Sequence, residues 1–150
     1  MKKAISPVIA TVIIVAVTIA IAIAVALWMT GLVGSFTGTE NLQIVSAYAT
    51  KNDNNTWTIY LQVKNVGTVD VTIDNIFING VPVSDLHEYV QNITASSGNV
   101  QDMSNINIPI RTGEAVNINI NVQKYVAGQM LEIKLHSAAG KEYPKQITLP

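Results

Sequence analysis

From Ala4 to Thr39 the chain carries no charged residue, and from Pro7 to Val33 almost every position is apolar. A helix over Pro7 to Val33 would run about 40 Å, against the roughly 30 Å hydrocarbon core that about 20 residues span. Ser6 followed by Pro7 is a plausible start, because a serine can satisfy an orphan N–H and proline at the first helical position loses only a donor without a partner. Ile19 to Ala26 alternates large and small apolar residues, which alone would resemble a strand. Length decides for a helix, since strands run four to eight residues. Ala16, Ala20 and Ala24 then fall at spacing four, a ridge of small residues that lets a second helix approach closely.

Three fates are open to this segment. It could be a membrane anchor oriented by Lys2 and Lys3 on the cytoplasmic side. It could be a secretion signal cut after Ala24-Val25-Ala26, although the apolar run exceeds a usual signal core and continues through Leu27-Trp28-Met29. It could also be cut on the cytoplasmic side, leaving the whole helix on the mature protein.

Here the residues become specific. Lys2-Lys3-Ala4 followed by Ile5-Ser6-Pro7-Val8-Ile9-Ala10-Thr11 resembles the start of archaeal type IV pilins. The resemblance covers roughly the first 30 residues. It implies cleavage between Ala4 and Ile5 by a prepilin-type peptidase, residence in the cytoplasmic membrane before assembly, and a homopolymeric extracellular filament packed through the helices. A cut after Ala4 places Ile9 at the fifth mature position, where bacterial type IV pilins carry a glutamate, so the likeness is to the archaeal branch. Archaellins usually show a glycine-containing string after the cut, where this chain has Ser6-Pro7.

All ten acidic residues lie from Glu40 onward, with seven of the nine basic ones, so the remainder is mildly acidic. Its lysines and Arg111 are scattered, which argues against a nucleic-acid partner. Cysteine is absent, which excludes disulfides, a thiolate nucleophile and thiolate metal sites. A surface rich in Asn and Thr and poor in charge suits an extracellular fibre.

Gly31, Gly34 and Gly38, among Ser35, Thr37 and Thr39, mark a hinge. Strand signals follow over Leu42–Tyr48, Thr56–Lys64, Val69–Ile78, Val81–Val83, Ile106–Ile110, Val116–Val122, Met130–His136 and Gln146–Leu149. In Thr56–Val63 the residues Trp57, Ile59, Leu61 and Val63 share one face, and in the next strand Val69, Val71 and Ile73 oppose Asp70, Thr72 and Asp74. Asn79-Gly80 is a hairpin signal. The pattern predicts an α+β chain: a long N-terminal hydrophobic helix followed by an antiparallel immunoglobulin-like β-sandwich, a lollipop in outline. The segments are a leader at 1–4, the helix at 5–34, a hinge at 35–41 and the sandwich at 42–150. Ser84 to Asn105 exceeds ordinary loop length and reads as a decorated loop or a short helix near Asp85–Val90.

Chemistry is thinly supplied. The two histidines, His87 and His136, have no motif-spaced acid apart from Glu88, and no nucleophile, base and orienting group can be nominated, so no catalytic residue and no cofactor is assigned. Asp70, Asp74 and Asn75 could share a calcium ion, but solvating an exposed strand face is the plainer reading, and no metal site is assigned. Asn54-Asn55-Thr56 and Asn92-Ile93-Thr94 fit the N-glycosylation acceptor pattern, each in an expected loop. Tyr48, Tyr60, Tyr89 and Tyr143 could form a stacking or adhesive surface, with Trp57 and Tyr125 assigned to packing. Two other readings stay open: a monomeric membrane-anchored ectodomain that binds a ligand or partner, and an archaellum filament subunit.

Overall fold

The computed structural model describes residues 6–36, 38–98, 100 and 102–150. The chain divides into two compact units, Met1–Gly38 and Thr39–Pro150. In the first, α1 spans Pro7–Phe36, 30 residues and about 45 Å at 1.5 Å per residue. It begins at the expected proline, and the Ser6 carbonyl accepts from Ile9 N at 3.0 Å and Ala10 N at 3.1 Å. Gly31 and Gly34 lie inside the helix, not in a hinge before the second unit. A glycine costs about 1 kcal/mol against alanine, too little to stop a helix whose long apolar run already propagates it.

The second unit holds β1 (Leu42–Lys51), β2 (Thr56–Asn65), β3 (Val71–Ile78), β4 (Val81–Pro82), a 3-10 turn η1 (Val83–Asp85), β5 (Val90–Ala95), β6 (Ile108–Ile110), β7 (Ala115–Gln123), β8 (Met130–Ser137) and β9 (Glu142–Thr148). Sheet 1 runs β1-β2-β7-β5, and sheet 2 runs β4-β3-β8-β9 with β6 added to β3. Every pairing is antiparallel. Two antiparallel sheets in this order form the immunoglobulin-like sandwich that the strand spacing predicts. The alternation on β2 puts Trp57, Ile59, Leu61 and Val63 into the core, where β7 meets them with Val116, Ile118, Ile120 and Val122. Asn79 and Gly80 both have positive φ, the backbone a two-residue hairpin needs between β3 and β4.

Two expectations are corrected. Residues 84–105 are not one loop: after η1 the chain forms β5, which pairs with β7 across sheet 1. A register shift between Val90 and Asn92 places Val90 and Ile93 inward at spacing three, which hides the period-two signal. The same device alters β3, where a shift between Ile73 and Asn75 puts Ile73, Ile76 and Ile78 inward. Val69 and Asp70 fall outside the strand altogether.

Asn65 closes the corner after β2. Its side chain is fully buried, donating from Nδ2 to Val69 O at 2.8 Å and Ile110 O at 3.0 Å, while Oδ1 accepts from Gly67 N at 2.9 Å. Residues 39–41 are strapped to the turn that follows. Val66 N and Gly67 N donate to Asn41 O at 2.9 and 3.1 Å, Thr68 N donates to Thr39 O at 2.8 Å, and Thr39 N donates to Thr68 Oγ1 at 2.8 Å. Gly67 is required there, because a Cβ would collide with the Thr39 carbonyl oxygen and sit 2.7 Å from Asn41 N.

Candidate functional surfaces

Apolar side chains surround α1 on every side, and every described one is exposed except Ala10, which is partly covered. Pro7–Gly34 is long and apolar enough to cross a membrane by length and composition. Its threonine hydroxyls are closed on the helix itself. Thr11 Oγ1 donates to Val8 O at 2.8 Å, Thr18 Oγ1 to Ile14 O at 2.6 Å, and Thr30 Oγ1 to Ala26 O and Leu27 O at 3.0 Å. Such back-bonding leaves these hydroxyls needing no water, as a lipid or dry helix interface demands. Of the alanine ridge, Ala16 lies in a shallow depression walled by Thr11, Val12, Val15 and Ile19. At 100° per residue Ala20 and Ala24 follow it around the same side of the helix. The Ala4–Ile5 cleavage position lies outside the described residues.

The solvent face of sheet 1 is mostly an uncharged polar surface, with Lys64 exposed at one end of it. Cross-strand register forms the rows Ser46–Gln62–Asn117, Tyr48–Tyr60–Asn119–Thr94 and Thr50–Thr58–Asn121–Asn92. Tyr48 and Tyr60 stack with ring centroids 5.0 Å apart and planes within 17°. Beside them lies an open depression of about 440 Å³ lined by Ser46, Tyr48, Tyr60, Leu61, Gln62, Asn117 and Asn119. The Leu61 side chain is buried in the core on the other face, so that residue supplies floor rather than wall.

The two glycosylation sequons fall in different settings. Asn54 sits at the exposed β1–β2 turn, where Asn54 and Asn55 both adopt positive φ. Asn92 is exposed but lies on β5, in register with Asn121, not in a loop. Sequence reasoning missed this because the register shift at the start of β5 masks the strand.

The three residues considered for calcium go separate ways. Asp70 Oδ1 accepts from Thr112 N at 2.9 Å, Asp74 Oδ1 pairs with His136 Nδ1 at 2.6 Å, and Asn75 Oδ1 accepts from Ile76 N at 2.8 Å. Around His136, Phe77 packs edge-on at 6.2 Å and Lys134 lies 5.5 Å over the Phe77 ring while bonding Glu142 at 3.1 Å. His87 is an exposed turn residue before β5. Tyr89 and Tyr125 pack at 5.4 Å, with Lys124 5.9 Å from the Tyr89 ring centroid and 2.9 Å from Glu88. Lys124 and its hydrogen bond hold the Glu88 carboxyl below the usual glutamate range. Tyr125 packs against the core as assigned, and burial, then Tyr89, raises its phenol. Tyr143 is raised chiefly by burial and next by Glu40, whose carboxylate it meets at 3.4 Å. Trp57 also caps the far end of the chain, donating from Nε1 to Pro150 O at 3.0 Å.

No family model matches the chain, and no curated protein matches it. Among solved structures, the chain is similar to the archaellum periplasmic stator protein FlaG from Sulfolobus acidocaldarius, at 20% identity over 72% of this chain and 99% of that one, with a TM-score of 0.46.

Proposed function

We propose that this protein is a structural subunit of an extracellular filament of the archaeal type IV pilin kind. In this reading it inserts in the cytoplasmic membrane before assembly, is cut between Ala4 and Ile5 by a prepilin-type peptidase, and polymerises through α1. The β unit is displayed outside for adhesion, and the chain performs no catalytic step. The observation that carries the reading is α1 itself: 30 residues, apolar on every side, exposed along its length, with its threonine hydroxyls already satisfied. A helix apolar all round is stable only in lipid or against other apolar helices. The pilin-like string from Lys2 to Thr11 supports the choice of filament over simple anchor.

Electron microscopy of sheared surface filaments, with intact mass of the subunit, tests this. Filaments built of a chain that starts at Ile5 are expected. An uncleaved chain that remains monomeric in detergent would overturn the reading in favour of a membrane-anchored ectodomain. Loss of swimming rather than adhesion on deletion would assign the filament to an archaellum.

A further inference from the structure

At one end of the sheet 1 surface some polar groups are closed on one another. Thr58 Oγ1 donates to Asn121 Oδ1 at 2.7 Å, and Gln91 Nε2 donates to Gln123 Oε1 at 2.6 Å. The depression beside Tyr48 and Tyr60 gathers several polar side chains that are not closed in this way. Among the described residues, the Ser46 hydroxyl and the side-chain amides of Gln62, Asn117 and Asn119 make no hydrogen bond within the chain, although they line it together. On β7 the contrast is between near neighbours: Asn121 and Gln123 are engaged, while Asn117 and Asn119, at the depression, are available.

We propose that this depression binds a short stretch of a neutral glycan. A sugar ring presents C–H faces that suit an aromatic wall, and hydroxyls that both donate and accept. Side-chain amides and a serine hydroxyl answer in both senses. The tyrosines brace each other by stacking, so the aromatic wall is formed before the ligand arrives, and Tyr48 remains 53% exposed to receive it. About 440 Å³ lies within the range of small-molecule sites, about 300–1,000 Å³. None of the lining residues is charged, so an ionic ligand would shed water without gaining a counter-charge from the lining; the nearest cation on this face, Lys64, stands one row outside it. A second protein is a poorer match, because interface centres favour apolar residues, methionine and arginine, and this one is mostly amide and hydroxyl. The proposal does not depend on polymerisation.

The full-length chain in a zwitterionic, sugar-free detergent is titrated with neutral gluco-, manno- and galacto-configured hexasaccharides and with a hexagalacturonate control, read by tyrosine fluorescence and saturation-transfer NMR. We expect saturable binding of at least one neutral hexasaccharide, little changed by salt, that exceeds binding of the charged control. Tyr48→Ala and Asn119→Ala should each weaken it about tenfold or more, with circular dichroism unchanged. Lys134→Ala, on sheet 2, should leave it intact. Tyr48 is exposed on an edge strand, so its truncation spares the core; Asn117→Ala is a second variant at the same wall. The proposal is overturned if no hexasaccharide saturates by about 10 mM, if binding survives Tyr48→Ala and Asn117→Ala unchanged, or if those variants abolish self-association instead.

Discussion

Asn65 is a single side chain on which three segments converge. Its amide serves two carbonyls and one N–H inside the domain. Asn65→Ala should therefore destabilise the β unit by about 3 kcal/mol, since each orphaned buried group costs about 1–3 kcal/mol. Asn65→Leu should be no milder, because its volume leaves the same groups unpaired. Urea unfolding checks both, and a loss under about 0.5 kcal/mol would show that the corner relaxes freely. Nothing in the sequence marks this residue: it follows a polar lysine at a strand end, and its partners lie up to 45 positions away. Tyr143 makes a second prediction at this scale. Burial and the Glu40 carboxylate raise its folded pKa above the unfolded value of about 10. The folded state then holds the proton that the unfolded chain releases, so this contribution is full below about pH 10 and is lost as pH rises beyond it. The urea midpoint should fall between about pH 9 and 11, less steeply in Tyr143→Phe. Equal slopes in the two proteins would exclude the effect.

Among the elements, α1 was legible because an unbroken uncharged run leaves no other structure of that length. Its end, expected at Gly34, lies two residues further on at Phe36, and Gly31 and Gly34, which resemble punctuation, fall within the helix. β2 and β7 were legible from unbroken alternation. The first half of β3 was legible, with Val71 and Ile73 inward as read, whereas β5 was hidden, because one extra residue in a strand reverses the alternation a reader relies on. The helix carries the third prediction. Ala20→Asp sets a carboxylate in the middle of α1 at a cost of about 2.5–3.5 kcal/mol for insertion. Filaments should disappear while circular dichroism retains the signature of the β unit. Normal filaments from this variant would mean that α1 is not the packed element.

For the whole molecule, the sandwich follows from strand count and turn spacing, whereas the position of the uncharged tyrosine face depends on pairings between strands far apart in the chain. Exposed large apolar residues in the β unit, such as Val45, Val81 and Val126, are scattered, while those of α1 are continuous. A chain beginning at Thr39 should accordingly be a soluble, monomeric β protein by light scattering. One beginning at Leu42 loses the bonds of residues 39–41 and should unfold at lower urea. Stable oligomers of the Thr39–Pro150 chain would shift the assembly contacts to the β units.

The strap between residues 39–41 and 66–68 also has a mechanical meaning. Tension applied along α1 reaches the β unit at Thr39, and the Thr39–Thr68 and Asn41–Val66–Gly67 bonds receive it before the β1–β2 ladder does. With Lys141 Nζ and the Tyr143 hydroxyl also donating to Glu40, these few short links would serve as a sacrificial joint. A pull strong enough to open them is expected to release a short length of slack before the hydrophobic core behind β1 is disturbed.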